Sequence, residues 1–148
     1  MTDFSFTRIA RFFLPIVLLQ LIACAPKLQN RPSSPDGTFL EHAWGVRMVS
    51  LRQSAEGYLL DFRYHVIDPD KASPLFDRSQ KPYLLDQATG AKFLVPESPK
   101  VGALRTTRPP QKGKNYFIIF ANPDRYVKKG SKVSVVIGEF KAENIVVE

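Results

Sequence analysis

The sequence is poor in the residues that most often carry chemistry. Its 148 residues hold one cysteine, two histidines and two methionines. A single cysteine excludes an internal disulfide framework and any metal cluster built from several thiolates. With only Met48 beyond the initiator, a methionine-rich copper site is excluded too. No G-x-S-x-G, H-E-x-x-H or G-x-G-x-x-G occurs, and no glycine-rich loop ends in a phosphate-binding lysine. Internal repeats and a convincing long amphipathic helix are also lacking.

Long apolar runs are nearly absent. The exception is Phe12 to Ala23, apolar apart from Gln20 and preceded by Arg8 and Arg11. That run is too short to cross a hydrocarbon layer of roughly 30 Å. It shows no amphipathic period and contains Pro15, so it makes a poor core helix. A basic start followed by a short apolar stretch is the pattern of a secretory signal peptide, expected here over residues 1–23.

The lone cysteine falls where that run ends. Leu21-Ile22-Ala23-Cys24 resembles the lipobox of bacterial lipoproteins. The resemblance implies that the sulfur of Cys24 carries lipid, that the chain is cut just before it, and that its new amine is acylated. Two or three acyl chains hold a membrane firmly where one binds marginally, at about 0.8 kcal/mol per buried methylene. Cys24 is thus expected to be an anchor and not a catalyst. Ala25 follows it, and in enteric-type bacteria an aspartate there signals retention at the inner membrane. Its absence favours the outer membrane, with the protein facing the periplasm. The stretch from Ala25 to Gly37 is rich in proline and serine, so residues 24–37 are expected to form a lipidated tether.

Beyond the tether the hydrophobic period is two. In "GYLLDFRYHVID", Tyr58, Leu60, Phe62, Tyr64 and Val66 share one face, and Leu59, Asp61, Arg63, His65 and Ile67 the other. "WGVRMVSLR" predicts the preceding strand, with Gln53 to Gly57 as the hairpin between them. "KPYLLDQATGAKFLV" predicts a second hairpin around Ala88-Thr89-Gly90. "NYFIIFA", apolar on both faces, is expected to be a central strand, and "KKGSKVSVVIGEF" a turn feeding a long strand kinked at Gly138. Asp68 followed by Pro69 predicts one capped helical turn. The expectation is an all-β fold over residues 38–148, an antiparallel sandwich of seven or eight strands. Its architecture resembles immunoglobulin-like domains, without their Cys…Trp…Cys signature.

The formal charge is +7, and losing Arg8, Arg11 and Asp3 with the signal lowers it by one. Between Ser98 and Gly138 stand nine lysines and arginines against Asp124 alone. Such a charge excess recruits polyanions. Aromatic residues are not interleaved with these lysines, and an exported lipoprotein meets little nucleic acid, so no nucleic-acid partner is expected. The candidate anion-binding residues are Lys112, Lys114, Lys128, Lys129 and Lys132, either as a solvated set or as a surface for anionic glycolipid, lipid headgroups or an acidic envelope protein. They stand at opposite ends of the "NYFIIFA" strand, about 20 Å apart at roughly 3.3 Å per residue. That spacing suits a stripe or two clusters better than one patch.

Other chemistry is thinner. His65 and Asp61 share a strand face and would orient an imidazole if they met, the basis of an alternative reading as a small periplasmic hydrolase or metal-handling enzyme. Asp68, Asp70 and Asp77 lack the glycine and distal glutamate of a calcium loop. Phe117 and Ile119 face away from Tyr116, Ile118 and Phe120, so one set leaves the core unless the long Pro96 to Gly113 connection folds over it, and that covering is expected. The reading reached is a membrane-anchored binding or assembly module without catalysis or cofactor, next to a purely structural envelope protein as a further alternative.

Overall fold

The computed structural model of the chain describes residues 37–148. The expected signal peptide, Cys24 and the tether up to residue 36 lie outside the described residues. The described residues begin with helix α1 (Gly37–Trp44) and continue through β1 (Val46–Ser54), β2 (Leu59–Val66), the short helix α2 (Pro69–Ala72), β3 (Tyr83–Asp86) and β4 (Lys92–Leu94). A two-residue pair follows, β5 (Glu97–Ser98) and β6 (Gly102–Ala103), then β7 (Asn115–Ala121), β8 (Lys132–Ile137) and β9 (Phe140–Val146).

All pairings are antiparallel, and the two larger sheets have orders β1-β2-β7 and β4-β3-β8-β9. In the constant-type immunoglobulin plan, long strands one, two, five and four form one sheet and three, six and seven the other. The seven longer strands here follow that plan, except that the fourth, β4, pairs with β3 instead of β7. The sandwich expected from sequence is present. The strand count is nine, because β5 and β6 form inside the 96–113 connection.

One core joins the two sheets. Leu60, Phe62, Tyr64 and Val66 of β2 are almost fully buried and meet Leu84, Phe93, Val133, Val135 and Ile145 from the other sheet's strands. The period-two reading of β2 therefore holds from Leu60 onward. Tyr58 does not follow it and is half exposed, because a 3-10 turn over Ala55–Gly57 leaves it in helical conformation before the strand begins.

Further expectations are corrected. The central strand buried on both faces is β8, not "NYFIIFA": Val133 through Ile137 are all buried between β3 and β9. β7 borders its sheet, and the 104–106 segment runs along its free edge, where Ile119 N–H donates to Leu104 O and Thr106 N–H to Phe117 O. That connection seals the edge and does not fold over the face, so Ile119 is half-buried and Phe117 stays exposed. Gly138 is no kink in a strand. It opens the two-residue turn between β8 and β9 at φ +58, and a Cβ there would lie 2.7 Å from Gln80 Oε1.

Trp44 belongs to α1, not to the first strand; Leu40 and Trp44, one helical turn apart, face inward, and the Trp44 ring meets Phe140 edge-on at 5.6 Å. Asp68 caps α2 as expected, its Oδ1 accepting from the N–H groups of Asp70 and Lys71. The Ala88-Thr89-Gly90 hairpin forms with Gly90 at φ +74 and Asp86 Oδ2 accepting from Thr89 N–H and Oγ1–H.

Candidate functional site

The pairing of β2 with β7 defines two ends of the sandwich. At one end Asn115 pairs with His65, and α1, α2 and the start of β3 gather; at the other Ala121 pairs with Leu59. The expected lysines divide between them. Lys112 and Lys114 precede β7 at the helical end, where Lys114 O accepts from Val66 N–H. Lys128 and Lys129 follow β7 at the turn end, and Lys132 pairs there with Val146. All five are exposed. The seven-residue β7 separates the groups by about 20 Å, well beyond the Debye length of about 8–10 Å at physiological salt, so they do not act as one surface.

His65 and Asp61 are each engaged elsewhere. His65 Nδ1 lies 2.7 Å from Asn115 Oδ1, and Asp61 Oδ2 accepts from Arg63 Nε and Nη2 at 2.9 and 2.8 Å. No third group joins them, and among the described residues no trio of His, Cys, Asp or Glu converges on a metal position. Asp77 Oδ1 accepts from Ser79 N–H, and this bond chiefly holds its carboxyl below the ordinary value.

A different group of cations does converge. Arg105 leaves the 104–106 segment inward and is 92% buried, its Nη1 donating to Gln80 O and its Nη2 to Leu75 O and Asp77 O at 2.9–3.1 Å. Its Nε has no hydrogen-bond partner among the described residues, and no carboxylate forms an ion pair with it there. Buried charges are ordinarily paired, because desolvation of an isolated ion costs several kcal/mol. Burial lowers the Arg105 pKa from its ordinary value, yet arginine remains charged.

Arg105 lines a hollow of about 680 Å³ beside the β4 end of the four-stranded sheet. Arg78 and Lys81, from the segment entering β3, line it too and make no ion pair among the described residues. Glu97 is the one acid on its wall. Leu94, Val95 and Val101 supply apolar surface. Along the extended 105–108 segment alternate residues part company: Arg105 and Thr107 face this hollow, while Thr106 and Arg108 face a second one of about 450 Å³ shared with Lys114 and Tyr116. The volume of the first hollow lies within the range of small-molecule sites in general.

Sequence reasoning missed this hollow. Arg78 and Lys81 lie outside the basic third of the chain, and Arg105 counted there only as one cation among nine. The carbonyls that hold Arg105 lie 25 to 30 residues away in sequence, so no local pattern announces them. No helix among the described residues is long and apolar enough to cross a membrane. Searches of protein-family models, curated proteins and solved structures give no match to this chain.

Proposed function

We propose that this protein is a lipid-anchored module of the bacterial cell envelope that binds an anionic envelope component without catalysing a reaction. The observation that carries the binding half is Arg105, a buried cation with Asp77 nearby but no carboxylate within ion-pair distance among the described residues, lining a hollow whose wall also holds Arg78 and Lys81 against Glu97. A fixed positive charge in a partly dry site attracts an anion more strongly than exposed lysines do, because water screens it less. The anchoring half rests on the lipobox-like Leu21-Ile22-Ala23-Cys24 after a short apolar run. Outer-membrane attachment facing the periplasm follows from Ala25, by the enteric rule.

The test has two parts. Metabolic labelling with a fatty acid in a bacterial host is expected to mark the wild-type chain and not Cys24→Ala; equal labelling of both contradicts the anchor. Titration of the full chain in nanodiscs of neutral phosphatidylcholine with inorganic phosphate is expected to show binding that weakens steeply between low and physiological salt. Absence of phosphate binding at low salt contradicts the anion reading.

A further inference from the structure

The hollow beside β4 is built of two kinds of wall, one charged and one apolar. Val101 is 71% exposed and Leu94 63%, the two most exposed large apolar side chains among the described residues, and both line this hollow. Scattered exposed apolar residues are ordinary on a protein surface, whereas a pair flanking a charged hollow makes a continuous amphipathic rim. Val95 and Ala103 extend it inward. Leu94 closes the short strand β4, and Val101 sits at the tip of the turn between β5 and β6, so two separate pieces of chain bring the apolar wall together.

The charged wall is equally specific. Arg78, Lys81 and Arg105 against Glu97 leave an excess of two positive charges. A phosphate monoester carries about −1.5 to −2 at pH 7 and three acceptor oxygens, which matches that excess better than a single carboxylate does. Arg78 and Lys81 are exposed and free to close on a headgroup, while Arg105 is already held in place by three backbone carbonyls and loses no side-chain freedom on binding.

From these we infer that the hollow binds a phosphorylated amphiphile, its phosphate among Arg78, Lys81 and Arg105 and its hydrocarbon against Leu94 and Val101. This rests on the anion reading above and narrows it to a lipid-like ligand. No covalent step is involved.

The probes are inorganic phosphate, hexyl phosphate, hexanol and an acetylated tetrapeptide ending in leucine, each titrated into the full chain in micelles of a phosphate-free maltoside detergent. Amide chemical shifts at Gln80, Leu94 and Val101 provide the readout. Hexyl phosphate is expected to bind at least tenfold more tightly than inorganic phosphate. Leu94→Gln with Val101→Gln, both exposed and tolerant of change, is expected to erase that preference while leaving phosphate binding intact. Arg78→Gln with Lys81→Gln is expected to weaken both phosphates at least tenfold. Equal binding of phosphate and hexyl phosphate, or a preference that survives the Leu94 and Val101 changes, overturns the amphiphile and leaves the anion reading standing. Tighter binding of the peptide overturns it in favour of a protein terminus. Hexanol binding as well as hexyl phosphate overturns both.

Discussion

The two ends of the sandwich both carry basic residues, but they use their buried polar side chains differently. At the turn end Asn122 is completely buried and fully used: its Nδ2 donates to Gly57 O and Val127 O, and its Oδ1 accepts from Val127 N–H, all within 2.9 Å. Around it the backbone is strained, with Ala55, Glu56, Asp124 and Arg125 all at positive φ and the Arg125 guanidinium over the Tyr58 ring at 5.1 Å. Toward the helical end the buried Arg105 Nε and Tyr64 hydroxyl have no hydrogen-bond partner among the described residues, and the third such atom, Asp61 Oδ1, lies on β2 nearer the turn end. One end concentrates its polar bonds on holding two turns together; the other sets a buried guanidinium, without an ion pair among the described residues, beside a hollow. An anion fits beside the second end, because water screens a partly buried guanidinium less than it screens exposed lysines.

The largest expected effect concerns the core that both ends share. Phe62→Ala removes a ring that is 1% exposed and stacked on Tyr64, and is expected to cost about 3–5 kcal/mol in denaturant unfolding. A midpoint close to wild type would place Phe62 outside the core and dissolve the frame in which the ends are compared. Asn122→Ala comes next. It strands Gly57 O, Val127 O and Val127 N–H in a dry site, and an expected loss of about 3 kcal/mol follows from leaving buried groups unpaired.

Tyr64→Phe sharpens the contrast from the other side. Burial raises the Tyr64 pKa, and its hydroxyl finds no acceptor among the described residues, so removing that oxygen is expected to stabilise the protein by about 1 kcal/mol. Destabilisation by that variant would mean that the helical end is as well satisfied as the turn end. The smallest effect is pH-dependent. Asp77 has its folded pKa depressed chiefly by the Ser79 N–H, so its contribution is complete above the unfolded value of about 4 and is lost as pH falls through the lower folded value. Asp77→Asn is expected to flatten the dependence of the unfolding midpoint on pH below about 4, and an unchanged slope contradicts this.

Much of the fold was legible because β2 alternates cleanly from Leu60 to Val66, and because Asp68-Pro69 and Asp86…Gly90 are local signals whose partners lie within a few residues. The choice of central strand was not. "NYFIIFA" and "KVSVVI" are both apolar on two faces, and only pairing, a long-range property, places β8 between β3 and β9 with Ser134 covered by Gln87. Helix α1 was missed because eight residues give two turns of pattern, and Trp44 reads as easily into a strand. At the candidate site the lysines were visible as charge, yet their division between two ends depends on the length of β7. Arg105 became distinct from its neighbours only when the 75–80 carbonyls were brought to it.

The most direct test of the account reverses charge at each end in turn. Phosphate affinity of the full chain in neutral nanodiscs is measured for wild type, for Arg78→Glu with Lys81→Glu, and for Lys128→Glu with Lys129→Glu. All four side chains are exposed and unpaired among the described residues, so both variants are expected to fold. The predicted result is a loss of at least tenfold for the helical-end pair and a change of less than twofold for the turn-end pair. Equal losses from both, or a greater loss from Lys128 and Lys129, would contradict the claim that the anion is held beside Arg105.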